Sequence, residues 1–303
     1  MQSNQHEGPD ALIGGTRDMS RGLPLNRARR IREKRVAALQ KRCRLAPLLE
    51  MYDLRLAEVR DQGSKNPEID ALSSLTSLFT GSLETIMKQI RAAKPEGIQL
   101  QNAVKRSAGT NFQGLCEYAL IRWIDTTDLP LNVGCNAPQS MKDELTIYGE
   151  DVAGPFRVEP DIDISIWEEG GVPTSPLLLL SAKTSLADRA GQAARWKLYF
   201  DIHQATCPHI PDIADCPIHR TKIKVKTKHQ VVHAIVTANI YKMNTEKPQG
   251  ELESGQCRNN TYMFKHKYTT RMDDIEVRPE GWYRFTAFPS LVANVFGYTL
   301  TGL

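Results

Sequence analysis

The chain has 303 residues, with 39 basic and 35 acidic side chains (net +4), 41% hydrophobic and 24% charged. A disordered chain carries fewer apolar residues and more net charge. The longest apolar run, around Leu177–Leu180, is far short of the roughly 20 residues that span a bilayer. The N-terminus is polar and lacks the apolar core of a secretory signal, so a cytoplasmic protein with no membrane partner is expected. Cys43, Cys116, Cys135, Cys207, Cys216 and Cys257 are scattered along the chain and read as reduced thiols. Length alone suggests about two domains.

Residues 1–20 read as a flexible tail. Arg21–Arg44 holds ten basic residues and one acid, Glu33. Its apolar positions Ile31, Val36, Leu39 and Leu45 predict a helix that continues towards Leu56. Phosphate contact through residues such as Arg29 and Arg30, or a solvated basic helix face, both account for this run. A second helix is predicted over Ile69–Ala92, stopped by Lys94-Pro95-Glu96-Gly97. A third begins near Ser107 and passes through Phe112, Leu115, Cys116, Ala119, Leu120 and Trp123. Asp128–Ser140 reads as a loop.

Strand patterns follow. Val158–Trp167 alternates, with Ile162, Ile164 and Ile166 on one face and Asp161, Asp163 and Ser165 on the other. Leu177–Ala182 and Val231–Tyr241 read as buried strands, Leu186–His203 between them as a helix, and Tyr262–Thr270 as another strand. Pro289–Phe296 closes the chain as a short helix. The predicted class is α/β: a mixed β-sheet flanked by helices, with a helical part over 21–97 and the sheet-bearing part over 98–303.

The chemistry concentrates in Glu159-Pro160-Asp161-Ile162-Asp163 and, one hairpin later, Ser181-Ala182-Lys183. Strands joined by a turn can bring carboxylates and a lysine together at a sheet rim. Such carboxylates hold Mg²⁺, which prefers oxygen ligands. The metal polarises a phosphate and acidifies a bound water, and the lysine orients that water or neutralises developing charge. A surface Asp on a strand edge beside a capping Lys is the plain alternative. Lys222, Lys224 and Lys226 recur at every second residue between Arg220 and Lys228. On a strand they either track a DNA backbone or protect an edge from aggregation. Cys207, His209, Cys216 and His219 are zinc-ligand types, but their spacing and the neighbouring prolines favour a loop.

Pro160-Asp161 with Ser181-Ala182-Lys183 resembles the PD-(D/E)XK nuclease signature. In particular it resembles the form in type II restriction endonucleases related to EcoRII and NgoMIV, where serine stands before x-Lys. Lys183-Thr184-Ser185-Leu186-Ala187-Asp188-Arg189 is similar to their Lys-Thr-Thr-x-x-Asp-Arg run. Arg106-Ser107-Ala108-Gly109-Thr110-Asn111-Phe112-Gln113 with Glu117 is similar to their Ala-Gly-x-x-Leu/Phe-Glu helix.

The resemblance implies a restriction-endonuclease-like fold over 98–303 and Mg²⁺-dependent, sequence-specific cleavage of double-stranded DNA in the prokaryotic cytoplasm. It assigns Asp161 as central metal ligand, Lys183 as catalytic lysine, and Ser181 to the place of the second acid. Asp188 and Arg189 become base readers, Arg for guanine and Asp for cytosine. Two departures stand out. Trp196 and Lys197 occupy the place of a family glutamate, and Gln113 stands where an acid is common. Glu117, one helical turn on, and Asp163 are then the candidates for the missing metal carboxylate. Cutting both strands implies a homodimer on a near-palindromic site, with 21–97 serving DNA binding or dimerisation. A structure-specific repair or recombination nuclease, or a non-catalytic DNA-binding descendant, are the competing readings.

Overall fold

The computed structural model describes residues 22–93, 98–135, 139–151, 154–184, 186, 190–204, 223–239, 261–271 and 281–300. The basic N-terminal run forms α1 (Gly22–Gln40) and α2 (Ala46–Asp61) rather than one helix. Pro47, in the first turn of α2, explains the break. Its ring collides with the carbonyl four residues back in a continuous helix, yet suits a helix start. The second predicted helix is also divided, into α3 (Pro67–Ala71), a 3-10 turn (Leu72–Ser74) and α4 (Leu75–Ala93). The third begins earlier than expected, as α5 (Ile98–Asp125).

The expected loop over 128–140 contains β1 (Leu131–Gly134). All four of its residues are buried, but flanking Pro130 and a terminal Gly disguise so short a strand. α6 (Gln139–Leu145), β2 (Ile147–Asp151) and β3 (Gly154–Val158) follow. The alternating stretch expected as one strand is cut after Val158, and β4 (Ile164–Glu168) resumes it in a different sheet. Pro160 has no N–H to offer a ladder, and residues 159–163 belong to neither sheet. Then come β5 (Leu177–Lys183), α7 (Ala190–Gln204), β6 (Lys224–Val225), β7 (Val231–Thr237), β8 (His266–Thr269), β9 (Trp282–Arg284) and α8 (Phe288–Phe296).

Among the described residues the main sheet has the order β1-β4-β5-β7-β8-β9. Its first two pairings are antiparallel and the rest parallel. The parallel β5–β7 pair requires a crossover, and α7 lies on it. A smaller sheet has the order β3-β2-β6. The fold is therefore the mixed α/β arrangement of a restriction-endonuclease-like core with a helical N-terminal part.

Strand alternation divides the core into two layers. Leu178, Leu180 and Ala182 join Ile164, Ile166, Ala234 and Val236 against α5. Leu177 and Leu179 point the other way, into a cluster with Trp196 and Phe200 of α7. Leu39, Tyr52 and Phe79 of the N-terminal helices belong to the first layer, so the core is continuous across the boundary expected near residue 97. Arg32 of α1 is fully buried and ties the helix to the sheet, donating to the Asp125 carboxylate at 2.6 Å and to the Leu131 carbonyl. The α1–α2 corner sits so close to α5 that a Cβ on Gly114 would meet Leu45 Cδ2 at 2.6 Å. No helix among the described residues is long and apolar enough to cross a membrane.

Candidate active site

The β4–β5 ladder ends where Ile164 faces Leu180. β5 runs on to Lys183, paired on its other side with β7 up to Thr237. The last residues of β5 thus have one open edge, and Asp163, immediately before β4, fills it. Asp163 Oδ2 accepts the Ala182 backbone N–H at 2.9 Å and the Lys183 ammonium at 2.6 Å. Both bonds end on one oxygen, so Oδ1 takes neither. The pair is almost enclosed, with side chains 5% exposed for Lys183 and 10% for Asp163. Burial pushes the Asp163 carboxyl above its ordinary range, Lys183 pulls it back, and the negative charge of Asp161 pushes it up again. Asp161 itself is exposed.

The alternation expected over Val158–Trp167 put Asp161 and Asp163 on one strand face. Neither lies within a strand. What separates them is depth: Asp163 is inside, on the lysine, and Asp161 is at the surface, near enough for its charge to be felt.

Ser181, two residues before Lys183 and therefore on its face of β5, is 1% exposed. Its Oγ lies 3.0 Å from Nε2 of His233 on β7. Burial, with the charges of Lys197 and Lys183, lowers the His233 pKa to about 3, so the ring is neutral at neutral pH. Its edge meets Phe264, the ring centroids being 5.2 Å apart, and its Nδ1 has no hydrogen-bond partner among the described residues. His233 is a site neighbour that sequence reasoning missed. Its signal was a single imidazole inside the apolar run Val231–Tyr241, which on its own does not distinguish a core histidine from a functional one.

α5 reaches the same place from the opposite layer. Gln113 Nε2 donates to the Asp163 backbone carbonyl, so an amide stands where an acid was expected. Glu117, one turn further along α5, is fully buried and held by Arg35 of α1. Arg35 donates through Nε to Oε1 and through Nη2 to Oε2 at 2.9 Å. This two-pronged pairing engages both carboxylate oxygens, and Glu117 in turn holds the guanidinium firmly charged. Nearby, burial and the Glu117 charge push the Cys135 thiol up, away from thiolate formation.

At the place of the missing family glutamate, Trp196 is buried in the α7 layer and Lys197 pairs with Asp201. Among the described residues no group of three or more His, Cys, Asp or Glu is arranged to hold a metal. Mg²⁺ does not require one, because one or two carboxylates together with substrate phosphates hold it. Asp163, with Oδ1 outside both hydrogen bonds, and exposed Asp161 beside it have the hard oxygen donors that fit the ion.

Of the residues expected to touch DNA, Arg29 pairs with Asp128 while Arg30 is exposed. Lys224 is exposed on β6, and exposed Lys226 lies with Nζ 5.2 Å from the centroid of the Tyr148 ring. Asp188, Arg189 and Lys222 lie outside the described residues, as do Cys207, His209, Cys216 and His219.

Residues 139–277 match the family model of the BsaWI restriction endonuclease, type 2. The matched segment starts with α6, runs past β8, and contains Asp161, Asp163, Ser181, Lys183 and His233. The helices α1–α5, with Glu117 and Arg35, precede it. No curated protein matches the chain. The similarity supports a type II restriction endonuclease, a hydrolase that cleaves DNA.

Proposed function

We propose that the protein is a Mg²⁺-dependent type II restriction endonuclease of the PD-(D/E)XK kind, related to EcoRII and NgoMIV, which hydrolyses phosphodiester bonds at a specific sequence in double-stranded DNA. The observation that carries this reading is the Asp163–Lys183 pair at the open edge of β5, inside the segment similar to a restriction endonuclease. Asp163, rather than Asp161, takes the central place, because it is the aspartate that meets the lysine. Mg²⁺ would be held by Asp163 with help from Asp161, and would supply Lewis acidity toward the phosphate and its bound water.

In hydrolysis a water oxygen bonds to phosphorus, a bridging P–O bond breaks, and the departing oxygen takes up a proton. Lys183 is fixed by Asp163, so its ammonium is directed without reorganisation at the non-bridging oxygens where charge grows. Ser181 contributes a neutral hydroxyl, steadied by His233, at the position of the second acid. Gln113 holds the Asp163 backbone in place. Glu117 acts as a metal carboxylate only if Arg35 releases it; held, it positions α5 against α1. Asp188 and Arg189 read bases, and Arg30, Lys222, Lys224 and Lys226 meet phosphates, with Arg29 joining them when it leaves Asp128. A homodimer in the cytoplasm of a prokaryote completes the reading.

The test is incubation of plasmid DNA with the protein in Mg²⁺ and in EDTA. Discrete fragments appear only with Mg²⁺. Cutting confined to branched or damaged DNA would point instead to repair, and shifted but uncut DNA to a binding protein without catalysis.

A further inference from the structure

The basic run that spans α1 and the corner after it does not act as one surface. Four arginines of α1 are paired with acids from distant parts of the chain: Arg27 with Glu169, Arg29 with Asp128, Arg32 with Asp125 and Arg35 with Glu117. Those charges are spent on holding α1 against α5, β1 and the end of β4. In the last part of the run the pattern reverses. Lys41, Arg42 and Arg44, in the α1–α2 corner, converge with Arg106 of α5 around a cavity of about 760 Å³. Among the described residues none of its lining side chains is acidic, and the rest include the polar groups of Ser107, Thr110 and Asn111. The cavity is held in shape: Arg42 Nη2 donates to the Thr110 carbonyl at 3.2 Å, and Leu45 is seated on Gly114.

Four converging cations without a carboxylate repel one another and are stabilised by an anion. The geometry also relates the cavity to the cut. Arg106, Thr110 and Gln113 follow at i, i+4 and i+7, so they share one face of α5. Gln113 touches Asp163. Seven residues at 1.5 Å rise separate it from Arg106, about 10 Å along the helix.

We propose that this cavity is a second phosphate-binding site, which takes the sugar–phosphate backbone of the DNA two turns of α5 away from the phosphate cut at Asp163 and Lys183. The proposal rests on the nuclease reading above. A free nucleoside triphosphate presents the same chemistry, and the experiment separates the two sources.

The affinity of a labelled DNA duplex is measured by fluorescence anisotropy in EDTA, between about 50 and 200 mM salt, for the wild type, Lys41→Ala, Arg106→Ala and the double variant. Both side chains are exposed, and thermal melting checks that folding is kept. Each lost phosphate contact should make the negative slope of log affinity on log salt shallower by about 1, and the double variant by about 2. An unaltered slope in the double variant, with a wild type that still cuts, overturns this site and leaves the nuclease reading standing. A wild type that neither binds nor cuts duplex DNA overturns both. Calorimetric titration with ATP forms the second arm. ATP binding lost in the double variant, with the DNA slope unaltered, overturns the DNA-backbone assignment in favour of a free nucleotide.

Discussion

The Lys183 ammonium lies 2.6 Å from the Asp163 carboxylate, and both side chains are nearly closed off from solvent. The Ala182 N–H bonds the same oxygen, so the pair is fixed both by the sheet edge and by its own charges. A buried ion pair gives little net stability, but breaking it leaves a charge stranded.

Lys183→Met and Asp163→Asn should therefore each destabilise the fold by about 3–5 kcal/mol, while the two replacements together cost less than either. Urea denaturation of the set measures this. A double variant as unstable as the sum of the singles would show that the two charges are not coupled.

Cleavage should rank the two aspartates. Loss of a group that merely orients a metal ligand costs about 10–100-fold, so Asp163→Asn, which removes the proposed central carboxylate, should lose more than that. Asp161→Asn should lose less, since Asp161 is at the surface. Single-turnover rates at saturating Mg²⁺ check the order, and the reverse order would return Asp161 to the central place.

His233 sets a pH dependence of stability. Its folded pKa is about 3 against an ordinary 6.5, so below 6.5 the unfolded chain binds a proton that the folded chain refuses. Stability from this group is complete above pH 6.5, falls as pH drops, and stops falling near pH 3. At pH 5 the loss is about 2 kcal/mol. His233→Gln, which can still bond Ser181, should flatten the denaturation midpoint between pH 7 and 5 relative to wild type. Equal slopes in the two proteins would mean that the histidine is not kept neutral by the fold.

Arg35 and Glu117 differ in exposure, 31% against 0% for the side chains. Removing Arg35 leaves a carboxylate wholly buried, whereas removing Glu117 leaves a guanidinium with access to water. Arg35→Met should cost about 3–5 kcal/mol and Glu117→Gln distinctly less. Thermal melts of both variants decide it, and equal losses would assign the effect to packing rather than charge.

Much of the framework was legible in the chain itself. Leu177–Ala182 and Val231–Tyr241 announce buried strands by their apolar residues, and the first is β5 while the second contains β7, which ends at Thr237, with Ile240 and Tyr241 outside the described residues. The stretches Glu159-Pro160-Asp161-Ile162-Asp163 and Ser181-Ala182-Lys183 contain the two residues, Asp163 and Lys183, that the fold pairs. Short or interrupted elements were not legible. β1 has four residues between chain-breaking neighbours, β3 went unread apart from Val158, and β4 was expected to start at Val158 because alternation continues through Pro160 while the ladder does not.

By itself the sequence determined the α/β class, the two buried strands, and the residue types gathered at the site. Only the tertiary structure decided which aspartate meets Lys183, that Gln113 faces Asp163, and that Arg35 claims Glu117 from 82 positions away. The opening balance of +4 had the same limit. Periodicity assigns a side chain to a face, but its partner across that face is set by packing of distant segments. That packing paired four arginines of α1 with acids and left Lys41, Arg42, Arg44 and Arg106 around a cavity with no acidic side chain among the described residues.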